Sequence, residues 1–156
     1  MTNYITKEGA LRLQAELTRL RTIDRPKIVR EVADAAAQGD RSENAEYIYG
    51  KKKLREIDRR MHWLIKRIDV AEIIDLKERA QQDQIFFGAT VDLEDEDGNA
   101  RTLQIVGVDE VDADHGKISY VSPLGRAMLK RKTGESFAFH KPNGEIEYTI
   151  LAVRYE

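Results

Sequence analysis

The apolar residues of this chain change their spacing near residue 80, and that change constrains the fold more than any single motif does. Leu54, Ile57, Met61, Leu64, Ile68 and Ala71 recur at steps of three and four, the seam of a helix that packs on another helix. After "KERAQQDQ" the recurrence drops to two. "GATVDLEDEDGNARTLQIVGV" holds two alternating runs around Asp97-Gly98, a hairpin signal. Helices and strands repeat their faces at different periods, so the chain divides into a helical part, residues 1–78, and a mixed part, residues 79–156.

The helical part holds a second stripe. Thr6 suits an N-cap and Glu8 the first turn, where a carboxylate complements the helix dipole. Ala10, Leu13, Leu17 and Leu20 follow at three-four-three spacing, and the series resumes at Ile28, Val32 and Ala35. The step from Leu17 to Ile28 is eleven residues long, which locally relaxes a left-handed supercoil. Pro26 lies inside it and removes a helical hydrogen bond, so a kink is expected there. Gly39 reads as the stop. Tyr47 and Gly50 carry the second stripe back towards the same bend. The expectation is an antiparallel coiled-coil hairpin whose arms, at about 30 residues each, are on the order of 45 Å long.

In the mixed part "KISYV" reads as a third strand. "SPLGRAMLKRKTG" reads as a helix with Ser122 as N-cap, Pro123 in its first turn and Gly134 as its stop. Two more strands flank Pro142-Asn143-Gly144. Four or five strands with one short helix make a small α+β domain.

Composition excludes several function classes. The chain has no cysteine, so disulfides, thiolate zinc sites and a cysteine nucleophile are out. There is no GxGxxG and no phosphate loop, and Ser119 and Ser122 have no evident His/Asp arrangement. His62, His115 and His140 lack metal-ligand spacing and read as surface residues. "MTNYITKEGALRL" turns charged at once and does not resemble a signal peptide. No apolar run approaches the ~18 residues of a membrane span. A soluble cytoplasmic protein with no membrane partner is expected.

The bend carries "GDRSENAEYIYG". Asp40 and Glu43 have two readings. As D-x-x-E before a helix they form a capping box, with Asp40 accepting from the amide of residue 43. As paired hard oxygens they suit Mg²⁺, which keeps waters and takes only one or two carboxylates. Two acids at a bend cannot close a metal site, so on this second reading another macromolecule completes it. Asn44 and Glu46 are auxiliary candidates, and Ser42 is a further capping option. Behind the bend, "KKKLREIDRRMHWLIKR" gathers Lys51, Lys52, Lys53, Arg55, Arg59, Arg60, Lys66 and Arg67 against Glu56 and Asp58. With Leu54 at heptad position a, the cations collect on one outward face. A solvated helix face usually alternates sign. This one repels itself, which suggests a polyanion partner bound in a salt-sensitive way. Trp63 falls at position c, off the seam, and reads as packing on the other domain or on a partner. No groove-reading motif is present.

"GDRSENAEYIYGKKKLREIDRR" closely resembles the tip and second helix of the bacterial Gre transcript cleavage factors. "TKEGALRLQAEL" and "SPLGRAMLKRKTGE" resemble further landmarks of that family, and the resemblance covers essentially the whole chain. Arg41 and the density of the basic run look more like the GreB branch than the GreA branch. The resemblance implies a coiled coil that enters the secondary channel of backtracked bacterial RNA polymerase. There Asp40 and Glu43 would serve the partner's active centre by helping to hold a shared Mg²⁺ and the attacking water, and the basic face would contact the nascent RNA 3′ end. It implies an FKBP-like second domain that docks on polymerase around Ser122 and Pro123. It also implies a monomer that is not itself an enzyme and binds no cofactor when free. Two other functions stand beside this one. An FKBP-like fold admits a peptidyl-prolyl isomerase or chaperone, for which the second half offers Phe86, Phe87, Tyr120, Phe137, Phe139, Tyr148 and Tyr155. The basic stripe alone admits a plain RNA-binding coiled coil.

Overall fold

The computed structural model describes residues 2–39 and 44–156. The chain forms two compact units, one of residues 10–70 and the other of residues 1–9 together with 71–156.

The first unit is helical. Helix α1 (Lys7–Arg19) enters it and continues through a π-helical turn, Leu20–Asp24, into α2 (Arg25–Ala37); α3 (Ala45–Val70) returns. The eleven-residue step is taken up at the π turn, where the Arg25 N–H reaches back five residues to the Leu20 carbonyl. Pro26, which has no N–H to offer, follows directly after that turn, near the start of α2. The irregularity of this arm is thus a wide π turn immediately before Pro26. Ala10, Leu13 and Ala35 from the first arm and Ile57 and Leu64 from α3 are buried, while Leu54, Met61 and Ile68 are half-buried, the seam that the spacing predicts. Gly50 is buried in the middle of α3, where glycine is normally unfavourable. A Cβ there would stand 2.6 Å from Cγ2 of Val32, so the missing side chain lets the arms close.

The second unit carries a five-stranded sheet in the order β5-β4-β3-β7-β6. Its strands are β3 (Thr90–Asp95), β4 (Ala100–Val106), β5 (Lys117–Ser119), β6 (Ser136–Lys141) and β7 (Gly144–Arg154). The β3–β4 and β6–β7 hairpins turn where Asp97-Gly98 and Pro142-Asn143 predict, and β5 joins β4 in parallel. Helix α4 (Pro123–Met128) covers a core that includes Ile85, Val91, Leu93, Ile105, Met128, Tyr148 and Ile150.

Two features differ from the sequence reading. Helix α4 ends at Met128 and does not run on to Gly134. Lys130 takes a left-handed conformation, φ 72°, and its N–H bonds the Ile85 carbonyl at 2.7 Å while Ile85 N–H bonds the Arg131 carbonyl at 2.8 Å. This long-range pairing draws the chain out of the helix. The second difference concerns the ends of the segment read as residues 1–78. β1 (Asn3–Thr6) and β2 (Ala71–Ile74) form a parallel pair within the sheet-bearing unit. Ala71, which continues the heptad spacing, is therefore the first residue of a strand. Thr6 caps α1 as expected, its Oγ1 accepting from Gly9 N–H at 3.1 Å. Glu110 braces that cap: its carboxylate accepts from Thr6 Oγ1 and, at 2.8 Å each, from the N–H groups of Thr6 and Gly107. A Cβ on Gly9 would fall 2.1 Å from Glu110 Oε1, so glycine there makes room for the carboxylate.

Candidate functional site

Asp40, Arg41, Ser42 and Glu43 lie outside the described residues, so the paired acids are bracketed by their neighbours. On the far side Asn44 opens α3. Its Oδ1 accepts from Tyr47 N–H at 3.1 Å and its carbonyl from Ile48 N–H at 3.0 Å, an N-cap in the ordinary geometry. Its Nδ2 donates to the Ala35 carbonyl at 2.7 Å, tying the start of α3 to the end of α2. Asn44, treated in the sequence as an auxiliary candidate, thus caps α3 and joins its start to α2. Glu46 lies in the first turn of α3 and is exposed.

From that bend α3 runs 26 residues, about 39 Å at 1.5 Å per residue. It carries the basic stretch on its outer side. Lys51, Lys52, Lys53, Arg55, Arg59 and Lys66 are exposed, and among the described residues none of them has an ion-pair partner. The other two predicted cations are placed differently. Arg60 spans the hairpin and donates to both carboxylate oxygens of Glu16, at 2.5 and 2.8 Å. Arg67 is half-buried. The hydrogen bonds from Arg60, more than its charge, hold the Glu16 carboxyl below its usual range. In a second cross-hairpin pair Arg25 donates to Asp58 at 2.8 Å, and that hydrogen bond raises the pKa of the Arg25 guanidinium. The sequence reading missed Glu16 and Arg25 because both pairs depend on the register between arms. Arg60 also lies 4.5 Å from the centre of the Trp63 ring, and Trp63 remains 38 % exposed.

In the sheet-bearing unit Ser122 caps α4. Its Oγ accepts from Gly125 N–H at 3.1 Å and donates to the Ser119 carbonyl at 2.6 Å. Pro123 beside it is exposed. Four of the aromatic residues that an isomerase pocket would need, Phe87, Phe137, Tyr148 and Tyr155, are buried in packing. His62, His115 and His140 are exposed; His115 pairs with Asp112 at 2.6 Å and His140 with Glu145 at 3.0 Å. Among the described residues no three His, Asp or Glu side chains gather into a metal site, and no helix is long and apolar enough to cross a membrane.

Family profiles cover both parts of the chain. "Transcription elongation factor, N-terminal" matches residues 3–73 and "Transcription elongation factor, GreA/GreB, C-term" matches residues 80–155. The chain belongs to the GreA/GreB family of transcription elongation factors. Within it the chain is most like GreB. It is 47% identical to the transcription elongation factor GreB of Neisseria meningitidis serogroup B over 153 residues, covering 98% of this chain and 94% of that one. It is 47% identical to GreB of Yersinia pestis over 154 residues, covering 99% and 90%. Among solved structures, the GreA factor homolog 1 (Gfh1) of Thermus thermophilus aligns at 26% identity and a TM-score of 0.45, over 98% of this chain and 99% of that one.

Proposed function

We propose that this member of the GreA/GreB family rescues backtracked bacterial RNA polymerase in the cytoplasm. The helical hairpin enters the secondary channel and brings Asp40 and Glu43 to the polymerase's own active centre. The nascent RNA is then cut near its 3′ end. The chain is an accessory to that reaction and works as a monomer. The sheet-bearing unit, with the FKBP-like fold that the resemblance implies, docks outside the channel through the region of Ser122 and Pro123.

The observation that carries this reading is the division of labour along α3. Asn44 supplies the cap, so a D-x-x-E pair at the bend is not needed to start the helix, and six exposed cations behind it have no partner within the described residues. A long helix whose cations are unspent suits a polyanion, and a bend with two carboxylates suits a divalent cation. Asp40 and Glu43 would hold a shared Mg²⁺ together with ligands from polymerase. When bound there, the ion stabilises negative charge that develops at the reacting phosphate. Carboxylates placed beside it orient the attacking water by accepting its hydrogen bonds. The remaining residues position: Glu16–Arg60 and Arg25–Asp58 fix the register of the arms, and Asn44 fixes the bend to α2.

Adding the protein to a stalled, backtracked complex with Mg²⁺ tests the proposal, and the transcript should shorten from its 3′ end. Asp40→Asn and Glu43→Gln should each abolish shortening while leaving the fold intact. Normal shortening by both variants would overturn the reading. Strong turnover of a prolyl peptide would favour the isomerase alternative, which the buried aromatic residues of the sheet-bearing unit argue against.

A further inference from the structure

The outer side of α3 carries two exposed aromatic rings among its cations. Tyr49 is 65 % exposed and Trp63 is 38 % exposed. They are fourteen residues apart, which returns to the same side of a helix after about 21 Å. Lys52, Lys53 and Arg59 lie between them on that side and Lys66 follows. All four are exposed, with no ion-pair partner among the described residues.

Trp63 is also held in place. The Arg60 guanidinium lies 4.5 Å from its ring centre, and Arg60 is itself fixed by two bonds to Glu16. A cation on one face of an indole orients the ring and leaves the exposed part of it available. A tryptophan kept at the surface by a clamp of this kind lies off the seam, in which Leu64 beside it is fully buried. Two exposed rings within a cationic stripe match what single-stranded nucleic acid requires: phosphates tracked by Lys and Arg, bases stacked on aromatic faces.

We infer that Trp63, with Tyr49 as a second platform, stacks bases of single-stranded RNA lying along the outer face of α3. The inference deepens the proposed function and rests on its reading of that face as the one turned to RNA. It makes the contact more than a phosphate track: the RNA is held by its bases at fixed points along the helix. Glu56 lies between the two rings on the same side and opposes the phosphates there.

Trp63 is the chain's single tryptophan, so its fluorescence reports on this site alone. Titrating the full chain with a short single-stranded RNA at low salt should quench that fluorescence saturably, and quenching should weaken as salt rises. By anisotropy of a labelled RNA, Trp63→Leu should bind about 5- to 100-fold more weakly, and Trp63→Phe should recover most of the loss. Tyr49→Leu should show a smaller loss, and Glu56→Gln should bind more tightly. Circular dichroism confirms that the variants keep the hairpin, and a blunt RNA duplex should bind more weakly than the single strand and without Trp63 dependence. No binding of single-stranded RNA, binding without quenching, or equal affinity of Trp63→Leu and wild type would each overturn the inference. Asp40→Asn separates the two claims, since it should lose transcript shortening and keep both RNA binding and quenching. Quenching by a wild-type protein that shortens no transcript sinks the polymerase reading and leaves the stacking site standing.

Discussion

The helical unit and the sheet-bearing unit use charge in opposite ways. Residues 10–70 hold fifteen Lys and Arg against ten Asp and Glu, and the remaining residues hold eleven against eighteen. In the sheet-bearing unit many acids serve the fold. Glu110 braces the cap of α1. Asp92 accepts from Arg154 at 2.7 Å and from Thr102 at 2.7 Å, bonds that lower its pKa. Asp95 closes the β3–β4 turn and is lowered chiefly by the Asn99 N–H. Asp112 is lowered by its bond from His115. In the helical unit the fold takes Arg25 and Arg60 and leaves six cations of α3 without a partner among the described residues. Charge spent on hydrogen bonds marks structure, and charge left over marks a surface that meets something else.

The contrast can be broken most severely at the seam. Leu64 is fully buried in the helical unit, and Leu64→Ala should cost about 2–5 kcal/mol. Trp63 fluorescence, which reports on the helical unit alone, should register the loss at a lower denaturant concentration. Hydrogen exchange at core amides of the sheet-bearing unit, such as those of the buried Tyr148 and Ile150, should move far less. A smaller effect is expected at Gly50. Gly50→Val drives a side chain into Val32, for which overpacking costs about 1–3 kcal/mol. Adding Val32→Ala should return part of it, measured by urea unfolding of the single and double variants.

The smallest expected effect concerns pH. Glu16 has its folded pKa lowered by Arg60, so the pair stabilises the hairpin above the ordinary carboxylate range. That contribution is lost as pH falls through the lowered folded value. The exposed pair is worth only about 0.2–1 kcal/mol. Glu16→Gln should therefore lower stability slightly near neutral pH and converge with wild type in acid, as thermal melts across that range will show.

Much of the fold was legible because periodicity and turn residues are local. The seam of α3, the cap at Thr6, the two strand hairpins and the Ser122 cap follow from residues near each other in the chain. What was not legible depends on partners far away in sequence. Lys130 leaves the helix for Ile85, β1 finds β2 across the whole hairpin, and Arg60 finds Glu16 across the seam. Ala71 shows the difficulty, since it satisfies the heptad and yet is a strand residue. At the candidate site, the exposure of the basic stripe followed from heptad position. Which cations are already committed did not. Asn44 was legible as a polar residue before a helix, but its bond to the Ala35 carbonyl depends on how the two arms meet.

The central claim is that the bend lends acids while the rest of the molecule supplies binding, and a competition experiment tests it most directly. Backtracked polymerase is supplied with Mg²⁺, wild-type protein and increasing amounts of the Asp40→Asn variant, and transcript length is followed with time. The account predicts that the variant alone shortens nothing, yet suppresses the wild type at comparable concentration by occupying the same place. A variant that shortens the transcript as wild type does would contradict it.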